Sequence, residues 1–168
     1  SILRDFSAPV RLKTEQSREQ RTFLMANDPN EFNRWEAGQK LATELLLGMV
    51  HDRANGKEMK VDPGFVQAIA AILEDSKLDK ALAALALALP GVRVLAEEMD
   101  VVDIDGLHEA RELMRTTIAK TLSGKLMEVY KANQSSEAYR CDANSVGRRS
   151  LKNACLSYLS LLETEETN

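Results

Sequence analysis

The chain has 168 residues and a mass of 18.7 kDa, which is enough for one domain with a hydrophobic core. Hydrophobic residues make up 44% and charged residues 29%, as in ordinary globular proteins. The net charge of −4 at pH 7 argues against a nucleic-acid partner. The longest apolar run, residues 81–89, is too short to span a membrane.

The two cysteines indicate the compartment. Cys141 lies in a polar, loop-like stretch, and Cys155 lies in the apolar stripe of a predicted helix. The first residues show no charged, apolar and small-residue pattern typical of a signal peptide. We therefore expect two reduced thiols in a cytoplasmic protein.

Start signals mark the first two predicted helices. Ser17 and Gln20 have the spacing of a capping box, so a short helix is expected after Ser17. Asp28 followed by Pro29 predicts a second helix with an acidic N-cap and proline in its first position. Asn55-Gly56 is predicted to end this helix.

The same kind of signal marks the third and fourth helices. Asp62-Pro63 predicts the start of the third, and Asp79 the start of the fourth, which Pro90 ends. A short helical turn is predicted at residues 92–99.

Asp103 or Asp105 is then expected to cap a long helix that runs to about Ala132 and bends or breaks near Gly124. The last predicted helix covers roughly residues 144–163. Aromatic Phe32 and Trp35 are predicted to be core residues that anchor the first helical hairpin.

These signals predict an all-α fold of about seven helices, paired as antiparallel hairpins with short loops. Such pairs form either a bundle or an irregular superhelix of the armadillo or HEAT type, and the residues alone do not decide between them. No repeat of fixed period is present. Residues 1–13 contain proline and small residues without a helical stripe, which predicts an extended segment before a helical domain at 14–168.

The last predicted helix has a wide apolar arc. Its stripe is flanked by Leu156 and Leu161, which widen the arc to roughly 220° at 100° per residue. This width predicts cover on two sides, an exposed apolar patch and self-association through it. It also leads us to expect further helices after the chain's end. The stripe comprises Leu151, Ala154, Cys155, Tyr158, Leu159 and Leu162.

No constellation of catalytic or metal-binding residues can be assembled. His108-Glu109 resembles the start of a zinc-binding helix, but position 112 is Glu, and the other histidine, His51, is distant in sequence. His108 is therefore expected to be a surface residue. No glycine-rich phosphate loop and no nucleophile triad is found.

Other charged pairs have structural explanations. Glu97-Glu98 and Asp103-Asp105 lie at helix ends, where caps and solvated side chains are expected. Arg148-Arg149 could bind an anion, although a solvated helix face is favoured. We therefore predict no catalytic, metal-binding or cofactor-binding residue in this chain.

Several stretches resemble the bacterial aminopeptidase N family of zinc metallo-aminopeptidases, of the gluzincin class. "ILRDFSAPVRL" resembles the end of that family's β domain, and "TFLMANDPNEFNRWEAGQKL" its first helical hairpin. "LDKALAALALALPGV", "VVDIDGLHEARELMRTTIAKTLSGKLMEVYKAN" and "RRSLKNACLSYL" resemble later helices in the same order. The similarity is diffuse and covers the whole chain.

The resemblance implies the end of a β domain followed by the first half of the superhelical C-terminal domain, which encloses the active-site cavity. It implies zinc in the parent enzyme and none here, because the His-Glu-x-x-His and Gly-x-Met-Glu-Asn motifs are absent. The expected partners are the other domains of the parent and its peptide substrates. The alternative is a free-standing helical scaffold that binds a protein partner in a concave groove.

Overall fold

The computed structural model describes the backbone of residues 17–134 and 142–166 and the side chains of these ranges up to Glu163. All regular secondary structure in these ranges is helical. The helices are α1 (Arg18–Asn27), α2 (Glu31–Ala54), α3 (Pro63–Glu74), α4 (Lys80–Leu87), α5 (Val92–Glu97), α6 (Ile104–Thr121), α7 (Ser123–Ala132) and α8 (Ala143–Glu166). The prediction of an all-α fold is confirmed there, whereas the extended segment at 1–13 lies outside the described residues.

Side-chain caps begin most of these helices where the sequence predicts them. The Ser17 and Gln20 capping box is present: the Gln20 amide donates to Ser17 Oγ at 3.3 Å, and the Ser17 amide donates to Gln20 Oε1 at 3.0 Å. Asp62, Asp79 and Asp103 each accept a hydrogen bond from a first-turn amide of the helix that follows. These bonds satisfy amides that have no partner within a helix.

The predicted start of α2 at Asp28-Pro29 is wrong by two residues. Asn30 is the N-cap, because its Oδ1 accepts from the Asn33 amide at 3.1 Å. Asp28 instead closes α1: its amide donates to Leu24 O at 2.9 Å, and its side chain accepts from the Asn30 amide. Because the Asp28 side chain is bonded in this turn, the first backbone amides of α2 are capped by the side chain of Asn30.

The long predicted helix is divided at Leu122, which raises the number of described helices from about seven to eight. Leu122 closes α6 through its amide, which donates to Ile118 O, and opens α7 through its carbonyl, which accepts from the Leu126 amide. Thr121, Ser123 and Gly124 surround the break, and all three are weak helix formers. The expected break near Gly124 is therefore confirmed, and it lies at Leu122, two residues before the glycine.

The helices pack first as neighbours in sequence and then across the chain. α1 lies antiparallel to α2, since Arg21 pairs with Glu44 while Met25 packs on Gly38. α1 also contacts α3, and α2 contacts α4 and α6. α8 contacts α7 and reaches back to α4 and α6. Helices that pair with their neighbours, together with a last helix that packs back on α4 and α6, match the predicted irregular superhelical class.

α8 is covered more fully than its sequence predicts. Leu151, Cys155 and Tyr158 are buried against α4, α6 and α7, while Leu159 and Leu162 are half-buried. Leu156 remains 45% exposed. Three helices of the same chain therefore cover much of the arc, and the expectation of further helices that cover the rest stays a prediction.

Phe32 and Trp35 do not form the predicted core anchor. Phe32 is 59% exposed, and its ring lies against that of Trp35 with centroids 5.6 Å apart. At 100° per residue, Phe32 points about 200° away from the buried Arg34. The buried face of α2 therefore begins with a charged residue.

Arg34 ties three helices together. It is only 6% exposed, its Nε donates to Met25 O at 3.0 Å, and its Nη1 contacts Asp75 Oδ2 at 2.8 Å. Met25 is near the end of α1, and Asp75 is the C-cap of α3. The guanidinium hydrogen bond is the main cause that lowers the pKa of Asp75 below its usual range.

We predict that Arg34→Gln lowers the free energy of unfolding by about 2–3 kcal/mol, since it removes charge-assisted bonds and leaves Met25 O unpaired. Asp75→Asn should also destabilise, because it leaves the buried guanidinium without its carboxylate. Urea unfolding of both single variants and the double variant measures the coupling. If the losses of the two single variants simply add in the double variant, the two residues are not coupled and the prediction is contradicted. The control is Arg53→Gln, which breaks an exposed ion pair.

The same pair predicts a pH dependence. A carboxyl whose pKa is lowered by folding stabilises the fold above its unfolded-state pKa, about 3.9, and loses this effect as pH falls through the folded-state pKa. The stability difference between the wild type and Asp75→Asn should therefore narrow below about pH 4. Urea titrations at several pH values test this, and a constant difference would refute the assignment.

Candidate functional site: a groove between α2, α4 and α5

A groove of about 730 Å³ lies between α2 and the α4–α5 turn. It is built where residues 88–91 connect α4 to α5, and Leu85 and Val94 lie at the same opening. Both side chains are more than half exposed. Gln39 fixes one wall, because its Nε2 donates to Ala88 O at 2.9 Å. The lining is Arg21, Trp35, Gln39, Lys40, Thr43, Glu44, Leu85, Ala88, Leu89, Pro90, Gly91, Val94 and Glu98.

Most of the charged residues that line this groove take part in ion pairs at its rim. Arg21 is paired with Glu44, and Arg18 approaches the same carboxylate at 3.7 Å. Lys40 is 3.4 Å from Glu36 one turn away. The lining contains no His, Cys or Asp. An apolar floor with a paired rim can hold the side chains of another protein segment, but it offers no convergent acid, base or nucleophile.

The residues of the zinc-like sequence lie on the surface at the start of α6. His108 is exposed, as expected. Glu109 pairs with Arg53 at the end of α2, with Nε and Oε2 2.7 Å apart, and Asp103 Oδ2 is 3.4 Å from Nη1 of the same arginine. The Glu109 hydrogen bond is the main cause that raises the pKa of Arg53. Glu109 therefore joins two helices here.

The described residues contain no group of three or more His, Cys, Asp or Glu side chains that could hold a metal ion. The carboxylate pairs have the expected structural places: Asp103 caps α6, while Glu97, Glu98 and Asp105 are exposed at helix ends.

The prediction of a solvated face for Arg148-Arg149 is wrong, since both side chains are half-buried. Gly147 brings α8 close to the start of α4, where an added Cβ would lie 3.2 Å from the Ala81 amide nitrogen. This approach draws Arg148 beside Lys80. Burial, and then the charge of Arg148, lower the pKa of Lys80.

Cys155 is a core residue, as predicted, and Cys141 lies outside the described residues. The Cys155 side chain is fully buried, and burial raises its pKa to about 11. A thiol with this pKa is almost entirely protonated at neutral pH, so it is a poor nucleophile.

We predict that Cys155 in a Cys141→Ser variant does not react with an aromatic disulfide reagent at pH 8 while the chain is folded. One thiol per chain should react after unfolding in urea. Absorbance of the released thiolate measures both, with the Cys141→Ser, Cys155→Ser double variant as the blank. Rapid reaction of the folded chain would show that the thiol is accessible.

The arginines that organise the structure were not among the residues predicted from the sequence. Arg34 lies four and seven residues before Gly38 and Leu41, on the face that becomes buried. Arg111 and Arg115, discussed below, flank Met114 and Ile118 in the same way. The sequence feature that could identify them is an arginine at the spacing of an apolar stripe, because long side chains at such positions extend along or into the core.

Comparison with known proteins identifies the family. A family model described as "Domain of unknown function (DUF3458_C) ARM repeats" matches residues 18–168. The chain belongs to the DUF3458_C family. The resemblance to aminopeptidase N inferred from the sequence is confirmed by the two curated relatives described next.

The chain is 38% identical over 164 residues to aminopeptidase N of Escherichia coli (strain K12), covering 98% of this chain and 19% of the relative. It is 40% identical over 161 residues to aminopeptidase N of Caulobacter vibrioides, covering 95% and 18%. Among solved structures, Legionella pneumophila aminopeptidase A in complex with aspartic acid superposes with a TM-score of 0.75 at 28% identity, over 92% of this chain and 18% of that one. The chain thus spans under a fifth of these relatives.

No helix among the described residues combines the length and apolar character that crossing a membrane requires.

Proposed function

We propose that this DUF3458_C chain is a non-catalytic helical part of a cytoplasmic zinc aminopeptidase that removes N-terminal residues from peptides. In this role residues 14–168 are the first half of its C-terminal helical domain and residues 1–13 the end of its β domain. The chain shapes the cavity over the active site and controls which peptides enter it. Zinc and the catalytic residues lie in other parts of the parent.

The observation that carries this proposal is the match of almost the whole chain to aminopeptidase N over less than a fifth of that enzyme's length. The chain's own chemistry supports the same division of roles. The groove between α2, α4 and α5 has an apolar floor and a mostly paired rim, which suit contact with another protein segment. Glu109, which follows His108 in the sequence, pairs with Arg53 of α2.

The groove also supports the second candidate, a free-standing scaffold. Armadillo-type domains bind partners along a concave surface, and here Leu85 and Val94 are exposed at such a surface. In the first candidate the chain is part of a longer polypeptide, and in the second it is not. The mass of the native protein that contains this chain therefore distinguishes them.

An antibody raised against this chain should precipitate from the native host a protein several times heavier than 18.7 kDa. The precipitate should hydrolyse alanyl or leucyl chromogenic amides, lose this activity with a zinc chelator and regain it with zinc. Antibody saturated with the recombinant chain is the control. A band at 18.7 kDa without activity would instead establish the scaffold.

Purified recombinant chain supplemented with zinc should hydrolyse none of these amides. Activity that survives further purification would contradict the non-catalytic role.

Self-association through α8 stays a prediction, and Leu156 is the residue of the predicted patch to test first because it is 45% exposed. We expect Leu156→Glu to shift sedimentation velocity profiles toward the monomer, because a charge at the contact must be desolvated. Leu85→Glu, which adds the same charge in the groove, is the matched control. Loss of association only with Leu85→Glu would assign the contact to the groove.

A further inference from the structure

A second cleft, of about 220 Å³, lies between α4, α6 and α8. Arg111 and Arg115, which occupy successive turns of α6, line it together with Ser157 and Tyr158 of α8. The rest of the lining is small and apolar: Ala84, Leu87, Ala88, Leu89 and Ala154. The cleft thus has two cationic groups on one wall and a short apolar surface elsewhere.

Hydrogen bonds hold both guanidinium groups in place. Arg111 Nε donates to Pro90 O at 2.8 Å. Arg115 Nη2 donates to Ser157 Oγ at 2.5 Å, and its guanidinium carbon lies 5.5 Å from the centroid of the Tyr158 ring. Tyr158 is fixed in turn, because its hydroxyl donates to Leu87 O. A guanidinium carries five N–H donors, so these contacts leave donors available at a pre-oriented site.

The cleft has no matching negative charge within the ranges 17–134 and 142–163. Arg21, Arg34 and Arg53 each pair with a carboxylate, whereas no carboxylate in those ranges lies within ion-pair distance of Arg111 or Arg115. Burial and then the charge of Arg115 lower the pKa of Arg111. Two like charges four residues apart on a helix repel each other, and more strongly when water is partly excluded.

We propose that Arg111 and Arg115 form a binding site for a carboxylate that carries a short apolar group. The planar guanidinium fork matches the two oxygens of a carboxylate, and the alanine and leucine surface accepts the attached carbon atoms. Two sources present this chemistry: an Asp or Glu side chain of another protein segment, or the C-terminal carboxylate of a peptide. The site is independent of the role proposed for the whole chain.

The test is a titration of the ¹⁵N-labelled chain with sodium propionate at constant ionic strength, followed by the arginine Nε–Hε resonances in NMR spectra. Those of Arg111 and Arg115 should shift and saturate with a Kd in the millimolar range, ~1–10 mM. The exposed Arg93 should not shift. Propionamide, which has nearly the same shape without the charge, should cause no saturable change.

Arg111→Gln and Arg115→Gln should each weaken propionate binding at least fivefold, and Arg93→Gln should leave it unchanged. Backbone amide spectra establish that each variant is folded. If a Gln variant does not fold, the Lys variant replaces it, because Lys keeps the charge but lacks the fork, and weaker binding is again expected. Unaltered binding by folded variants at both positions would overturn the proposal.

N-acetylalanine and N-acetylaspartic acid amide distinguish the two sources, since the first presents a C-terminal carboxylate and the second a side-chain carboxylate. Saturable binding of either supports the site, and the tighter ligand identifies the source. Shifts that stay linear with propionate concentration, equal shifts with propionamide, or tighter binding of inorganic phosphate than of propionate would each overturn the assignment.

Discussion

A buried guanidinium determines how the first three helices meet. Arg34 occupies the start of the inner face of α2, where its Nε binds the Met25 carbonyl of α1 and its Nη1 binds the Asp75 carboxylate at the end of α3. Hydrophobic packing alone tolerates rotation and sliding of helices. A fork of directed bonds in a nearly dry site does not, because a shifted helix would leave a buried charge unpaired. This orientation of α1 on α2 also accompanies the pairing of Arg21 with Glu44 at the rim of the groove.

Arginines have a comparable role further along the chain. Arg53 joins the end of α2 to the start of α6 through Glu109 and Asp103, and Arg111 joins α6 to the turn after α4. In these places a long side chain reaches a carbonyl or carboxylate on an element distant in sequence. Such contacts help an irregular superhelix specify its angles without a repeated sequence motif.

Local chemistry explains which features of the fold were predictable from sequence. Ser17, Asp62, Asp79 and Asp103 cap helices by bonds to amides within three residues, so the sequence contains the whole interaction. The start of α2 was misplaced because Asp28 and Asn30 compete for one turn. The cover of α8 by α4, and the placement of Arg111 and Arg115 in one cleft, depend on packing between distant segments, which helical periodicity does not encode. The lining residues of the groove between α2, α4 and α5 could not be predicted for the same reason, because they come from segments distant in sequence.

The return of α8 to α4 has a consequence for how the chain folds. In a regular helical repeat protein each unit touches only its neighbours, so its ends can unravel while the middle stays folded. Here Tyr158 binds the carbonyl of Leu87, 71 residues earlier, and Gly147 lies against Ala81. Forming this contact closes a long loop, which slows folding relative to a ladder of local pairs. Once it is formed, α4 and α8 protect each other, so amide hydrogens in both should exchange through one shared opening.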